Sequence, residues 1–317
     1  MKILLTESDA LVSNGDLSLD IFKNFGDYVE YKNIGRAELI KEAVDSDVIL
    51  CNKVSIDREV FECAKKLKYI GLCATGYNNV DIDCAREKGV TVCNAAGYST
   101  NAVTQQVIGY ILMHYTKIPE YSGFVRRGGW KEAEIFAPLV YSTEEVYGKT
   151  LGIIGYGSIG KAVEKAALGL GMKVIVYTRT VRENGVTEFV SFEELLERSD
   201  IVTVHCPLNS RSAGMMNEKA FSKMKEGAFF INTSRGGVVV EEDLYRALKS
   251  GRLSGAAIDV LTEEPMSKNC ILADAPNIII TPHTAWAPLS ARERLIKLVA
   301  QSLSAFLNGR EVNNLAK

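Results

Sequence analysis

The stretch Leu151-Gly-Ile-Ile-Gly-Tyr-Gly-Ser-Ile-Gly160 decides how this chain is read. Its first four residues form a short apolar run, the pattern of a strand buried on both faces. Gly155, Gly157 and Gly160 follow at G-x-G-x-x-G spacing. Over residues 161–170 apolar side chains recur at helical spacing (Ala162, Val163, Ala166, Ala167, Leu170), and a second β run occupies 173–177. Strand, glycine turn, helix and strand within about thirty residues is the setting in which this spacing implies a dinucleotide site. Gly155 permits the sharp turn, Gly157 lets backbone approach a diphosphate, and Gly160 lets helix and strand pack closely. Tyr156, Ser158 and Ile159 lie between the glycines and would share the contact. The unpaired N–H groups at the start of the helix, at its positive dipole end, would hold the phosphates.

Outward from this stretch, bulk properties narrow the class. A chain of 317 residues, 47% hydrophobic and 24% charged, has room for about two domains with ordinary cores. A net charge of −2 without a long basic run argues against a nucleic-acid or membrane partner. Seven cysteines, with no C-x-x-C pair, read as reduced core thiols of a cytoplasmic protein. The apolar start over residues 1–6 is too short for a signal peptide, and polar residues break the uncharged segment 89–116, so no membrane span is expected.

In the first hundred residues, β runs at 2–6, 47–51, 68–74 and 90–94 alternate with helical patterns at 17–24, 36–44, 57–66 and 81–88. Such alternation predicts a parallel sheet flanked by helices, which binds ligands beyond the carboxyl ends of its strands. Two of those ends are polar: Asn52-Lys53-Val54 and Thr75-Gly76-Tyr77-Asn78-Asn79. Residues 100–117 are apolar on nearly every side, so a buried helix between the two domains is expected. His114 on it reads as a core or interface histidine rather than a catalytic one. Residues 121–147 form a less regular stretch, long for a connection inside one domain, and suited to wrapping a second subunit. The helical pattern at 290–307 returns to the first domain.

After the glycine turn the second strand ends in Thr178-Arg179-Thr180. NAD sites carry an acidic residue here for the ribose hydroxyls, whereas Thr178 with Arg179 suits a 2′-phosphate, so NADPH is favoured over NADH. A solvated surface arginine is the alternative. Four further β runs end in His205-Cys206-Pro207, in Thr233-Ser234-Arg235-Gly236-Gly237, in Asp259 through Glu264-Pro265, and in Pro282-His283-Thr284-Ala285-Trp286. Parallel strands point one way, so these tails converge on one rim beside the glycine turn and look like an active site. The three histidines have no metal-ligand spacing, so no metal is expected.

With these motifs in order, the chain resembles the D-isomer-specific 2-hydroxyacid dehydrogenases over essentially its whole length, and within them bacterial glycerate dehydrogenases, or hydroxypyruvate reductases. The resemblance implies an α/β architecture of two doubly wound parallel-sheet domains. A Rossmann dinucleotide-binding domain (100–288) would be inserted into a flavodoxin-like substrate domain (1–99 and 289–317). It implies a catalytic trio. Arg235 would bind the carboxylate and carbonyl oxygen of a small 2-oxo acid, His283 would exchange a proton with that oxygen, and Glu264 would orient His283 and stabilise its charged form. By the same resemblance, Asp259 contacts the nicotinamide carboxamide, and Thr75-Gly76 offers backbone N–H groups to the substrate carboxylate. The segment around His205, Cys206 and Pro207 borders the adenosine, with Thr233 on the coenzyme side. Hydroxypyruvate or glyoxylate reduction with NAD(P) by a homodimer is the implied activity. Val103-Thr104-Gln105 departs from the family's usual Val-Ala-Glu or Val-Ala-Gln. A dinucleotide-sensing corepressor-type protein is the alternative, since such relatives can retain the trio.

Overall fold

The computed structural model describes residues 1–181, 185 and 187–317. The chain divides into two compact units, residues 1–99 with 287–317 and residues 100–286.

The first unit contains, in order, β1 (Lys2–Leu5), β2 (Asp27–Glu30), α1 (Arg36–Ala43), β3 (Val48–Cys51), α2 (Arg58–Cys63), β4 (Tyr69–Leu72), α3 (Ile82–Lys88) and β5 (Thr91–Asn94). Among the described residues the strands pair in parallel in the order β2-β1-β3-β4-β5, the flavodoxin-like arrangement. Leu4, Ile49, Cys51, Ile70, Leu72 and Val92 face the helices through one apolar cluster. The other face is closed by the last helix of the chain, Leu289–Leu307, through Leu295, Val299 and Leu303 and a contact of Tyr69 with Phe306 at 4.9 Å. Gly71 leaves room on that face: a Cβ would lie 2.7 Å from Leu50 Cδ2 of the neighbouring strand and 3.4 Å from Val299 Cγ1 of the helix. Arg292 on that helix, nearly buried, donates to both carboxylate oxygens of Asp16 at 2.8 and 2.6 Å.

The second unit begins with α4 (Thr100–Thr116) and α5 (Ile118–Arg126). It continues through β6 (Thr150–Ile154), α6 (Ser158–Gly169), β7 (Lys173–Tyr177), β8 (Glu188–Phe189), α7 (Phe192–Arg198) and β9 (Ile201–Val204). It ends with α8 (Glu218–Lys223), β10 (Ala228–Asn232), α9 (Glu241–Lys249), β11 (Leu253–Ile258) and β12 (Ile278–Ile280), and α10 is the Leu289–Leu307 helix of the first unit. Among the described residues the strands are all parallel, in the order β12-β11-β10-β9-β6-β7-β8. Side chains alternate between faces: Phe229 and Ile231 of β10 enter one cluster with α4 and α6, and Phe230 enters the other with α7, α8 and α9. Burial on both faces explains why these strands read as continuous apolar runs. The order reverses between β6 and β9, and the crevice beyond the carboxyl ends of such a pair is where doubly wound sheets take their ligands.

Three expectations need correction, and one strand is added to the sequence reading. Residues 17–24 do not form an α-helix; a 3-10 turn, Asp20–Phe25, stands there, and of its own residues only Phe22 is buried, too little for an amphipathic face. Asp27–Glu30 is an edge strand that the sequence reading passes over, because charged ends and four residues leave no apolar run. The stretch from 121 begins inside a helix, α5, and turns irregular only after Arg126. Helix α4 is buried along one stripe, Val103, Val107, Tyr110, Ile111 and Tyr115, packed against α6, while Asn101, Gln105 and Met113 are exposed. No helix among the described residues is long and apolar enough to cross a membrane.

Candidate active site

The glycine turn is built as its spacing requires. Gly155 has φ +95, and a Cβ on it would lie 2.7 Å from Cys206 N, so the ends of β6 and β9 touch only because this residue is glycine. A Cβ on Gly160 would lie 2.3 Å from the Gly155 carbonyl oxygen, which sets the closeness of α6 to the turn. Gly157 differs from both. Its φ of −82 suits any residue, and a Cβ there would meet nothing within 4 Å. It is also the N-cap of α6 and supplies no side-chain hydrogen bond to the first-turn N–H groups. Neither backbone strain nor packing accounts for glycine at 157, whereas close approach of a ligand does, and the uncapped helix start is the anion site such a ligand needs. The residues therefore fit a dinucleotide.

A cleft of about 810 Å³ opens from this turn. Gly155, Tyr156, Gly157, Thr178, Arg179, His205, Cys206 and Pro207 all line it. Ser158, Ile159 and Gly160 form the first turn of α6 beside it. His205 holds Thr203 Oγ1 at 3.0 Å from Nε2, with Thr233 Oγ1 3.5 Å from Nδ1. Burial pushes its imidazole down to about 3, so it is a neutral wall of the cleft and no proton donor near neutral pH. Tyr156 OH and Thr187 Oγ1 both donate to the carboxylate of Glu164 on α6, which is nearly buried. That network ties the glycine turn to the segment before β8.

Farther along the same rim, three successive loops interlock. Asn232, fully buried at the end of β10, accepts from Ser234 N and Oγ at 3.0 and 2.8 Å and donates to the Arg235 carbonyl at 2.9 Å. This shapes the turn that presents Arg235. Gly236 then presses on the loop after β11: a Cβ there would fall 1.9 Å from the Leu261 carbonyl carbon. Leu261 N in turn donates to Glu264 Oε1 at 3.0 Å, and Glu264 Oε2 stands 2.7 Å from His283 Nδ1. Arg235, Glu264 and His283 are thus connected through packing and hydrogen bonds, although they come from the tails of β10, β11 and β12. His283 has φ +55, a conformation few non-glycine residues adopt and one that places the ring toward Glu264. Asp259, 2% exposed, supports that loop: Oδ1 accepts from Thr281 Oγ1 and Thr284 N, and Oδ2 from Ala285 N at 2.9 Å. Burial raises its carboxyl above the ordinary range, against the lowering effect of these donors. Tyr110 OH of α4 also reaches Thr281 Oγ1.

His114 lies at the amino ends of β10 and β11, away from this rim. It stacks on Phe229 at 4.0 Å and holds Ser254 Oγ at 3.0 Å, and burial lowers it to about 4. Thr75 and Gly76 stand in the first unit just past the end of β4, with Thr75 Oγ1 donating to the Ala95 carbonyl. Beside them, Glu7 gathers three consecutive backbone N–H groups, of Asn52, Lys53 and Val54, at 2.8–2.9 Å on one oxygen. Asn79 Nδ2 donates to the Val54 carbonyl at 2.8 Å and so joins the two polar strand ends. The sequence reading passes over Glu7, Asn232 and Glu164 as individuals. The signals were an acid directly after β1, a polar residue closing an apolar strand, and a carboxylate on the inner side of a helix.

Comparison with known proteins agrees with this geometry. The D-isomer specific 2-hydroxyacid dehydrogenase NAD binding domain matches residues 108–285. A hydroxypyruvate reductase from Blautia hydrogenotrophica is 37% identical over the whole of both chains. The TT0316 protein from Thermus thermophilus superposes with a TM-score of 0.89 at 33% identity, covering 99% of each chain. An acyclic imino acid reductase in complex with NADPH and D-Arg superposes with a TM-score of 0.88 at 28% identity, covering 99% of this chain and 100% of that one. The chain belongs to the D-isomer-specific 2-hydroxyacid dehydrogenases, oxidoreductases that act on the CH–OH group of their donors with a nicotinamide coenzyme.

Proposed function

We propose that this enzyme reduces a small 2-oxo acid, hydroxypyruvate or glyoxylate, to the corresponding 2-hydroxy acid with NADPH. The observation that carries the reading is the Glu264–His283 pair at 2.7 Å, linked through the Leu261 loop to Arg235 on the rim that begins at Gly157. A reduced nicotinamide coenzyme, when bound, supplies the hydride. Arg235, which has no carboxylate partner among the described residues, offers its planar fork to the substrate carboxylate and carbonyl oxygen. With Nδ1 held by Glu264, Nε2 of His283 is left to give its proton to the carbonyl oxygen as that oxygen gains charge, and to take it back in the reverse direction. In the first unit, Thr75 and Gly76 keep the family role of carrying backbone N–H groups suited to a carboxylate. Asp259, with one oxygen accepting a single bond, contacts the carboxamide of the coenzyme.

Hydroxypyruvate as a substrate is supported by the name of the Blautia relative, and NADPH by Thr178-Arg179 in the cleft and by the coenzyme of the imino acid reductase. The seven cysteines are free, which suits a reducing, cytoplasmic compartment. The 127–147 stretch exposes Phe136 at 92% and Leu139 at 87%, and this apolar surface suits burial against a second copy in a homodimer. The deciding experiment is a panel of 2-oxo acids offered with NADPH and with NADH. Oxidation of NADPH by hydroxypyruvate or glyoxylate is expected. Silence across the panel overturns the reading and leaves a dinucleotide-sensing protein in its place.

A further inference from the structure

The cleft beside the glycine turn carries more positive charge than a diphosphate explains. Lys161 on α6, Arg179 after β7 and Arg211 after β9 all line it, and no Asp or Glu among the described residues does. Among the described residues none of the three forms an ion pair; Lys161 Nζ lies over the Tyr156 ring at 5.6 Å. What sets these cations apart is that three of them, from three different elements, line one cleft with no carboxylate among its described lining residues. Lys161 is also placed at a local cost. It follows the first turn of α6, whose uncapped N–H groups and positive dipole end disfavour a cation. The same helix start would hold the diphosphate through its backbone N–H groups, so that group would not require the side-chain cations. Arg211 is presented by a braced loop. Its N–H donates to Asn209 Oδ1 at 3.0 Å, and Ser212 Oγ donates to the Pro207 carbonyl at 2.6 Å, which fixes the backbone and leaves the guanidinium out in the cleft.

We infer that Lys161 and Arg211 join Arg179 in binding a phosphomonoester on the adenosine ribose, and so act as specificity-determining residues for NADPH. This deepens, and rests on, the coenzyme reading above. A phosphomonoester adds about −1.5 to −2 charge at neutral pH and three acceptor oxygens, enough for three cations arriving from three different elements. NADH lacks that group, and three unneutralised cations do nothing for its ribose hydroxyls.

The test is equilibrium binding by coenzyme fluorescence, with NADPH and NADH titrated separately into wild type, Lys161→Ala, Arg211→Ala and Thr178→Asp, and 2′,5′-ADP and 5′-AMP as competitors. Each cation removed should weaken NADPH and 2′,5′-ADP about tenfold, the loss of one charge-assisted hydrogen bond, while NADH and 5′-AMP change less than about twofold. Unchanged NADH binding also reports that each variant is folded. Equal losses for both coenzymes, or no loss for NADPH, overturn the role of Lys161 and Arg211. Wild type that binds NADPH no more tightly than NADH overturns the coenzyme reading itself. Wild type with a clear NADPH preference that only Thr178→Asp erodes keeps that reading and rejects this one.

Discussion

At the scale of the residue, the site works through directionality. Glu264 uses one oxygen for the Leu261 N–H and the other for His283 Nδ1, so its own loop fixes the carboxylate before it orients the ring. Replacing His283 by Ala removes the proton donor and should lower kcat about 10²–10⁴-fold, with coenzyme affinity kept. Glu264→Gln keeps the shape and replaces the charge-assisted hydrogen bond to His283 Nδ1 by a neutral one. kcat/KM for reduction should therefore fall about tenfold, with coenzyme affinity kept. An unchanged kcat/KM for Glu264→Gln would mean that the pair does not govern the proton step. Arg235→Lys keeps charge but loses the bidentate fork. Its kcat/KM should fall at least about tenfold, mostly as a rise in KM for the oxo acid.

The elements add a distinction between glycines that fold and a glycine that binds. Gly160 and Gly155 are required by contacts inside the turn, since their Cβ atoms would strike backbone. Gly157→Ala meets open space at an ordinary φ. Thermal unfolding should show Gly157→Ala within about 0.5 kcal/mol of wild type, yet its NADPH affinity should fall about tenfold or more. Gly160→Ala should lose about 1–3 kcal/mol of stability through overpacking against the Gly155 carbonyl, and coenzyme binding with it. A Gly157→Ala protein that binds NADPH as wild type does would exclude the glycine turn as the phosphate cradle.

For the whole molecule, two buried histidines contribute to the acid side of the stability profile. His114 and His205 are held well below the ordinary value of 6.5, at about 4 and about 3. Above pH 6.5 the imidazoles are neutral in folded and unfolded chains alike. Below it the unfolded chain takes up protons that the folded one refuses, so stability declines as pH falls from about 6.5 toward 4 and 3. Melting temperature against pH should show that decline, and His114→Gln should flatten it; an unchanged slope would exclude the His114 ring as a contributor. The second whole-molecule expectation is assembly. Wild type should sediment as a dimer at micromolar concentration, and Phe136→Asp with Leu139→Asp should sediment as a monomer, whereas a monomeric wild type would leave that apolar stretch without its proposed cover.

Short-range pattern was enough for the alternating strands and helices, the glycine turn and the order of the tails that carry Arg235, Glu264 and His283. Period, spacing and turn chemistry are local properties, and buried parallel strands announce themselves as apolar runs. The edge strand Asp27–Glu30 and the 3-10 turn at Asp20–Phe25 escaped because their form is set by a neighbouring strand and a single core anchor, neither of which leaves a periodic signal. The tertiary structure alone decided the rest. Gly236 on Leu261, Asp259 under the His283 loop, Glu7 on three amides and Lys161 with Arg211 in one cleft all join residues distant in the chain. Such contacts depend on which strand tails the sheet order sets side by side, and that order comes from packing between layers rather than from any stretch of sequence.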